Sequence, residues 1–189
     1  MELSDSLRRR HSTRLYKEEP VSDDEILMLC DAATFAPSPM NSQPWHFHVA
    51  TGTARRAVGE IMALTTQYLE EYIDVLGTEG VDRAARFYGD LGKAPVAIAV
   101  SVPVLDDPAE HDKVLIGVGA AVENFMLAAL DSGLGCCNIS APRWVVDRLV
   151  EAFRIPEGRM LATLVIVGHP DEEPVPHDRK HDVVTFVGR

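Results

Sequence analysis

The spacing of apolar and polar residues predicts helices and strands that alternate along the chain. Ser22, followed three residues later by Glu25, forms a capping box, and apolar residues at helical spacing after it predict a helix that stops before Pro37. Residues 45–51 alternate between apolar and polar side chains and are rich in aromatic and β-branched residues, which predicts a strand. Residues 94–102 are almost continuously apolar, as in a strand that is covered on both faces.

The longest apolar stripe follows and predicts the central helix of the molecule. Asp107 caps this helix, Pro108 suits its first turn, and Gly133 ends it. A helix with so much apolar surface is expected in the centre of the core or in a subunit interface.

Two further apolar segments, residues 134–140 and 160–167, predict buried strands. Between them, Ser140 and Pro142 are expected to open a helix that ends near Phe153. Helices and strands therefore alternate, which predicts a layered α+β or α/β domain.

The length of the chain predicts a single domain over residues 1–189. Residues 54–88 are helical in composition but broken at Gly77 and Gly80, and they are expected to form a mobile cover over a site. Residues 170–189 are polar and contain prolines before an apolar end, which predicts a C-terminal arm that docks elsewhere, on a partner chain for example.

Charge is distributed unevenly along the chain. With 18 Lys and Arg against 29 Asp and Glu, the net charge is −11, which argues against binding to nucleic acid or to an anionic membrane. Residues 6–17, however, contain no acidic residue and hold five of the 18 cations. A positive island in an acidic protein indicates a small anionic ligand. Its cations are Arg8, Arg9, Arg10, Arg14 and Lys17.

The three cysteines predict no disulfide framework. Cys136 and Cys137 are adjacent inside an apolar segment, where inert buried thiols are expected, and Cys30 is a single residue in a predicted helix. No apolar signal region follows the N-terminus, and the longest apolar runs are too short to span a bilayer. We therefore expect a cytoplasmic protein.

The first candidate for chemistry is the run Arg10, His11, Ser12, Thr13 and Arg14. Guanidinium forks and hydroxyl donors match phosphate oxygens, so this run is a candidate cradle for a monophosphate. The alternative is a solvated basic turn at the end of an N-terminal helix, and composition alone favours it.

The second candidate is a loop with three prolines in residues 37–44. The prolines stiffen the loop, which presents uncharged donors and acceptors that suit a planar heteroaromatic ring. From this loop alone, the favoured role of these side chains is structural: they form hydrogen bonds with the loop backbone. The side chains concerned are those of Ser38, Asn41, Ser42 and Gln43.

Together, these two segments resemble the signature of the FMN-dependent nitroreductase family. The resemblance continues through the central helix and the following strand and covers nearly the whole chain. The residues that carry it are 10–14, Pro20-Val21, 36–38, 41–45, Gly117 to Leu134-Gly135, 155–158 and 167–170.

The family resemblance implies a fold and a reaction. The fold is an α+β domain with a mixed central sheet flanked by helices, in an intertwined homodimer with one FMN in each of two sites at the subunit interface. The reaction transfers hydride from NADH or NADPH through flavin N5 to a small electron-poor acceptor, a nitroaromatic or a quinone, by a ping-pong mechanism without a catalytic side chain. The alternatives are reductive dehalogenation or flavin cleavage on the same fold, or a flavin-binding module without turnover.

The resemblance also implies roles for particular residues. Arg10, Ser12 and Arg14 would hold the FMN phosphate, and His11 would line the same pocket. From the other subunit, Pro37, Ser38 and Asn41 would approach the flavin, and Gln43 would support their loop. The segment beside the isoalloxazine face and N5 edge corresponds to Asn138, Ile139 and Ser140. A C-terminal cation would complete the phosphate or ribityl site, with Arg179 as the candidate and His177 and Lys180 as competitors.

Other polar and aromatic groups point to no further chemistry. His46 and His48 lie on one face of a predicted strand, but a third ligand with suitable spacing is missing, and we predict no metal site. Tyr68, Glu71 and Tyr72 could belong to a cover over an aromatic substrate, although a half-exposed helix with amphipathic tyrosines is favoured.

Overall fold

The computed structural model describes residues 2–140, 143–174 and 178–188, and its centre is a four-stranded antiparallel sheet. The strands lie in the order β1-β2-β4-β3. Their bounds are β1 His46–Ala50, β2 Val96–Pro103, β3 Gly135–Ile139 and β4 Arg159–Gly168.

The α+β class is confirmed. The described strands, however, form an antiparallel sheet and not the mixed sheet that the family resemblance implies. Strands β2 and β3 are both antiparallel to β4, so they run in the same direction without being neighbours. The later strand β4 inserts between them and separates what would otherwise be a parallel pair. A mixed sheet is therefore wrong for the strands that the structure describes.

Helices cover both faces of the sheet. Their bounds are α1 Leu3–Arg9, α2 Asp23–Thr34, α3 Gly52–Ala63, α4 Ile73–Asp90, α5 Pro108–Asp131 and α6 Val146–Ala152. One core lies between the sheet, α2 and α5, and a second core lies between the sheet, α3 and α6. In β2, Ile98 and Val100 face the first core, whereas Ala97 and Ala99 face the second. Burial on both faces explains why this strand is apolar throughout.

Two predicted helix starts are confirmed by their caps. The Ser22 hydroxyl accepts a hydrogen bond from the Glu25 backbone N–H at 3.3 Å, and the Glu25 carboxylate accepts one from the Ser22 N–H at 2.8 Å. The Asp107 carboxylate likewise accepts a hydrogen bond from the Ala109 N–H at 2.9 Å. These contacts satisfy backbone donors that have no partner inside the helix.

The predicted start of the helix after β3 is wrong. Ser140 is not helical, Pro142 lies outside the described residues, and α6 begins only at Val146. Residues 143–145 form a turn, because Val145 is buried in the second core and Trp144 packs against it.

Helix α5 is, among the described residues, the one helix long and apolar enough to cross a membrane by length and composition. Its buried side chains, which include Val118, Val122 and Phe125, pack into the first core. The apolar character of α5 is thus that of a core helix.

The segment predicted as a cover consists of α3, a 3₁₀ stretch Leu64–Tyr72 and α4. Helix α4 is interrupted at Gly77, whose φ is 67°, as predicted, but it continues through Gly80. No residue of α4 is fully buried. Its function as a cover stays a prediction.

Candidate functional site

A cleft of about 690 Å³ opens between the N-terminal segment, the end of β3 and α4. Residues that are far apart in the chain meet here, and several of them are the residues singled out from the sequence. The predicted site residues that line the cleft are His11, Ser12, Arg14, Ile139 and Ser140, together with Asn138.

The N-terminal segment is held in place by backbone contacts. The Thr13 N–H donates to the Cys136 carbonyl at 3.0 Å, and the buried Tyr16 hydroxyl donates to the Thr13 carbonyl at 2.5 Å. A Cβ at Gly135 would lie 2.5 Å from the Thr13 Oγ1, so this close approach requires a glycine. The segment therefore runs tightly along β3 and presents its polar side chains to the cleft.

One cation, Arg14, and carboxylates share one end of the cleft. The Arg14 guanidinium donates to the Ser12 carbonyl at 3.3 Å, while the Arg14 backbone N–H donates to the Glu172 carboxylate. Glu172 and Glu173 also line the cleft. An anionic ligand at this end would be attracted by the Arg14 guanidinium and repelled by the Glu172 carboxylate.

Arg10 lies beside the cleft rather than in its lining. Its Nε is 3.0 Å from a Glu123 carboxylate oxygen, and it lines an adjoining hollow of about 210 Å³ together with His11 and Glu172. The His11 Nδ1 lies 3.0 Å from the Arg9 carbonyl oxygen. Contact between Arg10 and a ligand in the main cleft would therefore compete with the ion pair to Glu123.

The predicted C-terminal cation is not brought to the cleft. Arg179 and Lys180 are exposed and do not line it, and His177 lies outside the described residues. Their contact with a cofactor stays a prediction.

The proline-rich loop lies apart from the cleft, against α5. The Ser38 hydroxyl accepts a hydrogen bond from the Gln43 backbone N–H at 2.9 Å, as the structural alternative for this loop expects. Asn41 and Gln43 are exposed and have φ values of 53° and 44° in the left-handed region. A Cβ at Gly117 of α5 would lie 3.3 Å from the Pro37 carbonyl oxygen, so loop and helix are in close contact. None of these four loop residues lines the cleft of its own chain.

Arg159 anchors the end of this loop, a role that sequence reasoning missed. Its Nη2 donates to the Pro44 carbonyl at 2.7 Å and to the Ser101 carbonyl at 2.7 Å, and its Nε donates to the Ser101 hydroxyl at 2.9 Å. Burial lowers the pKa of Arg159. The sequence signal that could have revealed this role is a single arginine at the start of an apolar strand. A guanidinium there needs several hydrogen-bond acceptors.

The strand histidines have protein partners. The His48 Nε2 lies 2.9 Å from the Ser101 hydroxyl, and the rings of His46 and His48 meet edge to face at 4.7 Å. Burial, His46 and Arg159 together lower the pKa of His48. Over the described ranges, no group of three or more His, Cys, Asp or Glu side chains is placed to hold a metal ion.

The thiols of β3 are buried. Burial raises the pKa of Cys136 to about 12 and also raises the pKa of Cys137. Both are therefore protonated thiols near neutral pH, although Cys137 contributes to the wall of the cleft. This agrees with the expectation of inert thiols.

Comparison with known proteins identifies the kind of fold. The structure superposes on a BluB-like flavoprotein from Clostridium difficile 630 with a TM-score of 0.78, at 27% identity and with 99% of each chain covered. It also superposes on a nitroreductase with bound FMN from Desulfitobacterium hafniense DCB-2 with a TM-score of 0.74, at 24% identity and with 97% of each chain covered. The second match, at this identity, supports the fold alone.

Sequence comparison then identifies the family. The model of the nitroreductase family matches residues 7–169. The nitroreductase NfnB of Mycolicibacterium smegmatis is 30% identical over 191 aligned positions, which cover 86% of this chain and 80% of that protein. The chain belongs to the nitroreductase family and is an oxidoreductase of that type.

Proposed function

We propose that this protein is an FMN-dependent oxidoreductase that moves hydride from NADH or NADPH to an electron-poor acceptor, a nitroaromatic or a quinone. The observation that carries the proposal is the cleft in which Ser12 and Arg14 meet the end of β3. When bound, FMN supplies the redox chemistry, with hydride accepted and released at flavin N5. The protein binds and orients the reactants.

The residues of the cleft fit FMN in size and chemistry. A volume of about 690 Å³ falls in the range of cofactor pockets. One end offers a guanidinium and a hydroxyl group for a phosphate, from Arg14 and Ser12. The body of the cleft has apolar and aromatic side chains for a flat ring system, including Phe87, Tyr88 and Ile139.

Each of these residues has a proposed task. Ser12 and Arg14 hold the phosphate, with His11 beside it, and Arg10 joins them by exchanging Glu123 for the phosphate. Ile139 and Ser140 orient the isoalloxazine ring at its reactive edge. No side chain is assigned as acid or base, because hydride transfer at the flavin requires none from the protein.

A second copy of the chain completes the site. The exposed amides of Asn41 and Gln43 lie on a rigid loop away from the cleft of their own chain. In a homodimer, Pro37, Ser38 and Asn41 of one protomer reach the flavin of its partner, while Gln43 supports the loop through its backbone bond to Ser38. Arg179 completes the phosphate or ribityl site.

Three measurements test this function together. The purified protein is expected to show the visible spectrum of bound FMN, to oxidise NADPH or NADH, and to give parallel initial-rate lines for reductant and acceptor. Parallel lines are the pattern of a ping-pong mechanism. A colourless protein that cannot be reconstituted with FMN would overturn the proposal.

Product analysis separates the remaining activities of this fold. Halide release from a halophenol would indicate reductive dehalogenation, and consumption of the flavin under oxygen would indicate flavin cleavage. Tight FMN binding without oxidation of NADH or NADPH would indicate a binding module.

The reduced thiols of β3 are consistent with a cytoplasmic location, which belongs to the same proposal.

A further inference from the structure

The proline-rich loop of residues 37–44 holds a backbone conformation that most of its residues do not favour. Met40, Asn41 and Gln43 have φ values of 50°, 53° and 44°, all in the left-handed region, and none of them is a glycine. Such conformations persist only where the surrounding structure imposes them, and they concentrate at ligand-binding segments. The shape of this loop therefore needs support from other parts of the molecule.

Contacts inside the loop and at its first end give part of this support. The Asn41 backbone N–H donates to the Ser38 carbonyl at 3.0 Å, and the Gln43 N–H donates to the Ser38 hydroxyl at 2.9 Å. At the first end, the Pro37 carbonyl oxygen lies 3.3 Å from the position of a Cβ at Gly117 of α5. These contacts close the loop on itself and seat its beginning on a helix.

Arg159 fixes the second end of the loop from another strand. It lies at the start of β4, and its Nη2 reaches across β2 to donate to the carbonyl of the buried Pro44, two residues before β1. The same guanidinium donates to the carbonyl and to the hydroxyl of the fully buried Ser101. The His48 Nε2 lies 2.9 Å from that hydroxyl. Three hydrogen bonds from one planar group fix its direction and, through it, the position of Pro44.

Arg159 takes no part in the cleft of its own chain. Neither Arg159 nor Ser101 lines that cleft. The loop that Arg159 holds also lies away from the cleft, with Met40 96% exposed and Asn41 exposed at its tip. An effect of Arg159 on a cofactor would therefore pass through the loop to the site of a second protomer.

We propose that Arg159 is a positioning residue for the flavin site of the partner protomer, because it holds Pro44 so that Ser38 and Asn41 are presented in one fixed geometry. This inference rests on the proposed function, which brings the loop to the flavin of the partner. A loop that is ordered before binding loses little entropy when the site closes. Loss of the anchor therefore weakens FMN binding, although Arg159 does not touch the cofactor.

Two substitutions at Arg159 test the anchor, with a matched control. Arg159→Met removes all three donors but keeps an unbranched side chain, whereas Arg159→Lys keeps the charge without the planar fork. We expect the dissociation constant of FMN to rise about tenfold in Arg159→Met and about threefold in Arg159→Lys. Arg148→Met is the control, because Arg148 is exposed on α6 and does not line the cleft. It should bind FMN within about twofold of the unmodified protein.

Hydrogen exchange in the FMN-free protein measures the order of the loop directly. The backbone N–H groups of Asn41 and Ser42 donate to carbonyls within the loop, so their exchange reports on its opening. Exchange at both should be about tenfold faster in Arg159→Met. The amide of the buried Leu164, at the centre of β4, should change much less. Equal acceleration at all three would indicate a general loss of stability and would contradict a positioning role.

Heterodimers determine which of the two sites Arg159 serves. In the first, an Arg159→Met chain pairs with an Arg14→Ala chain, so one site carries both changes and the other carries neither. Its FMN content after dialysis should be about half of that of the unmodified dimer. In the second, one chain carries both changes and its partner carries none. Each site is then damaged once, and the FMN content should be lower than in the first heterodimer.

Two further results would overturn the inference. The first is an unchanged FMN dissociation constant in a folded Arg159→Met protein. The second is the reverse order of the two heterodimers, which would show that Arg159 acts on the cleft of its own chain. An unmodified protein that binds no FMN would count against the proposed function and against this inference with it. FMN binding that is insensitive to Arg159→Met would count against the inference alone.

Discussion

Arg14 contributes two different donors at the end of the cleft. Its backbone N–H donates to the Glu172 carboxylate, whereas its guanidinium is exposed and donates to the Ser12 carbonyl. The guanidinium can therefore turn to a phosphate at little cost to the fold. The basic run that contains Arg14 could be recognised in the sequence. Its contact with Glu172 could not, because the two residues are 158 positions apart.

Removing the Arg14 side chain is expected to affect cofactor binding more than stability. In Arg14→Ala, loss of charge-assisted hydrogen bonds should weaken FMN binding by about 10- to 100-fold. The free energy of unfolding of the FMN-free protein should change by less than about 1 kcal/mol, since the side chain is exposed. Flavin content after dialysis and urea unfolding measure the two quantities.

Arg8→Ala is the matched control for this prediction. Arg8 belongs to the same positive island and is exposed, but it does not line the cleft. The control should retain FMN within about twofold of the unmodified protein, because a distant surface charge is screened by salt. Equal flavin loss in both variants would contradict the assignment of Arg14 to the phosphate.

At the scale of elements, burial in the cores determined which predictions succeeded. Strand β2 and helix α5 were predicted well, because their apolar patterns report directly on the cores that they contact. The start of α6 was misplaced, because Ser140 and Pro142 have the composition of a helix start, whereas Val145 is held in a turn by burial in the core. Side-chain packing between distant segments overrides such local signals.

The interruption of α4 depends on one backbone conformation. Gly77 has a φ of 67° and a ψ of 169°, a region that is open to glycine and strained for other residues. We expect Gly77→Ala to lower the free energy of unfolding by about 1 to 3 kcal/mol, measured by urea denaturation.

Gly89→Ala in the same helix provides the opposite expectation. Gly89 lies in the helical part of α4, and a Cβ there would meet no atom within 4 Å. Alanine should therefore raise the free energy of unfolding by about 0.5 to 1 kcal/mol. Stabilisation by both substitutions would show that α4 is continuous in solution.

For the whole molecule, the proposed site requires two chains. The sequence pointed to both halves of the proposed site, the segment around Arg14 and the loop around Asn41, but the structure leaves them apart in one chain. The sheet order could not be predicted either, because the pairing of β4 with both β2 and β3 depends on packing of the complete chain. We propose that a homodimer joins the two halves.

Complementation between variants tests this arrangement. Arg14→Ala damages the cleft, and Asn41→Asp removes an amide donor while keeping a residue that tolerates a positive φ. In purified heterodimers, one site carries both changes and the other carries neither, so FMN content should recover to about half of that of the unmodified dimer. If the loop served the cleft of its own chain, both sites would remain damaged and no recovery would occur.

The insertion of β4 also has a consequence for how the chain folds during its synthesis. Strands β2 and β3 are both made before β4, yet each pairs with it and neither pairs with the other. Until residues 159–168 leave the ribosome, two apolar strand edges therefore lack their partner. The sheet closes in one late step of high contact order, and chains shortened before Arg159 would expose those edges to aggregation.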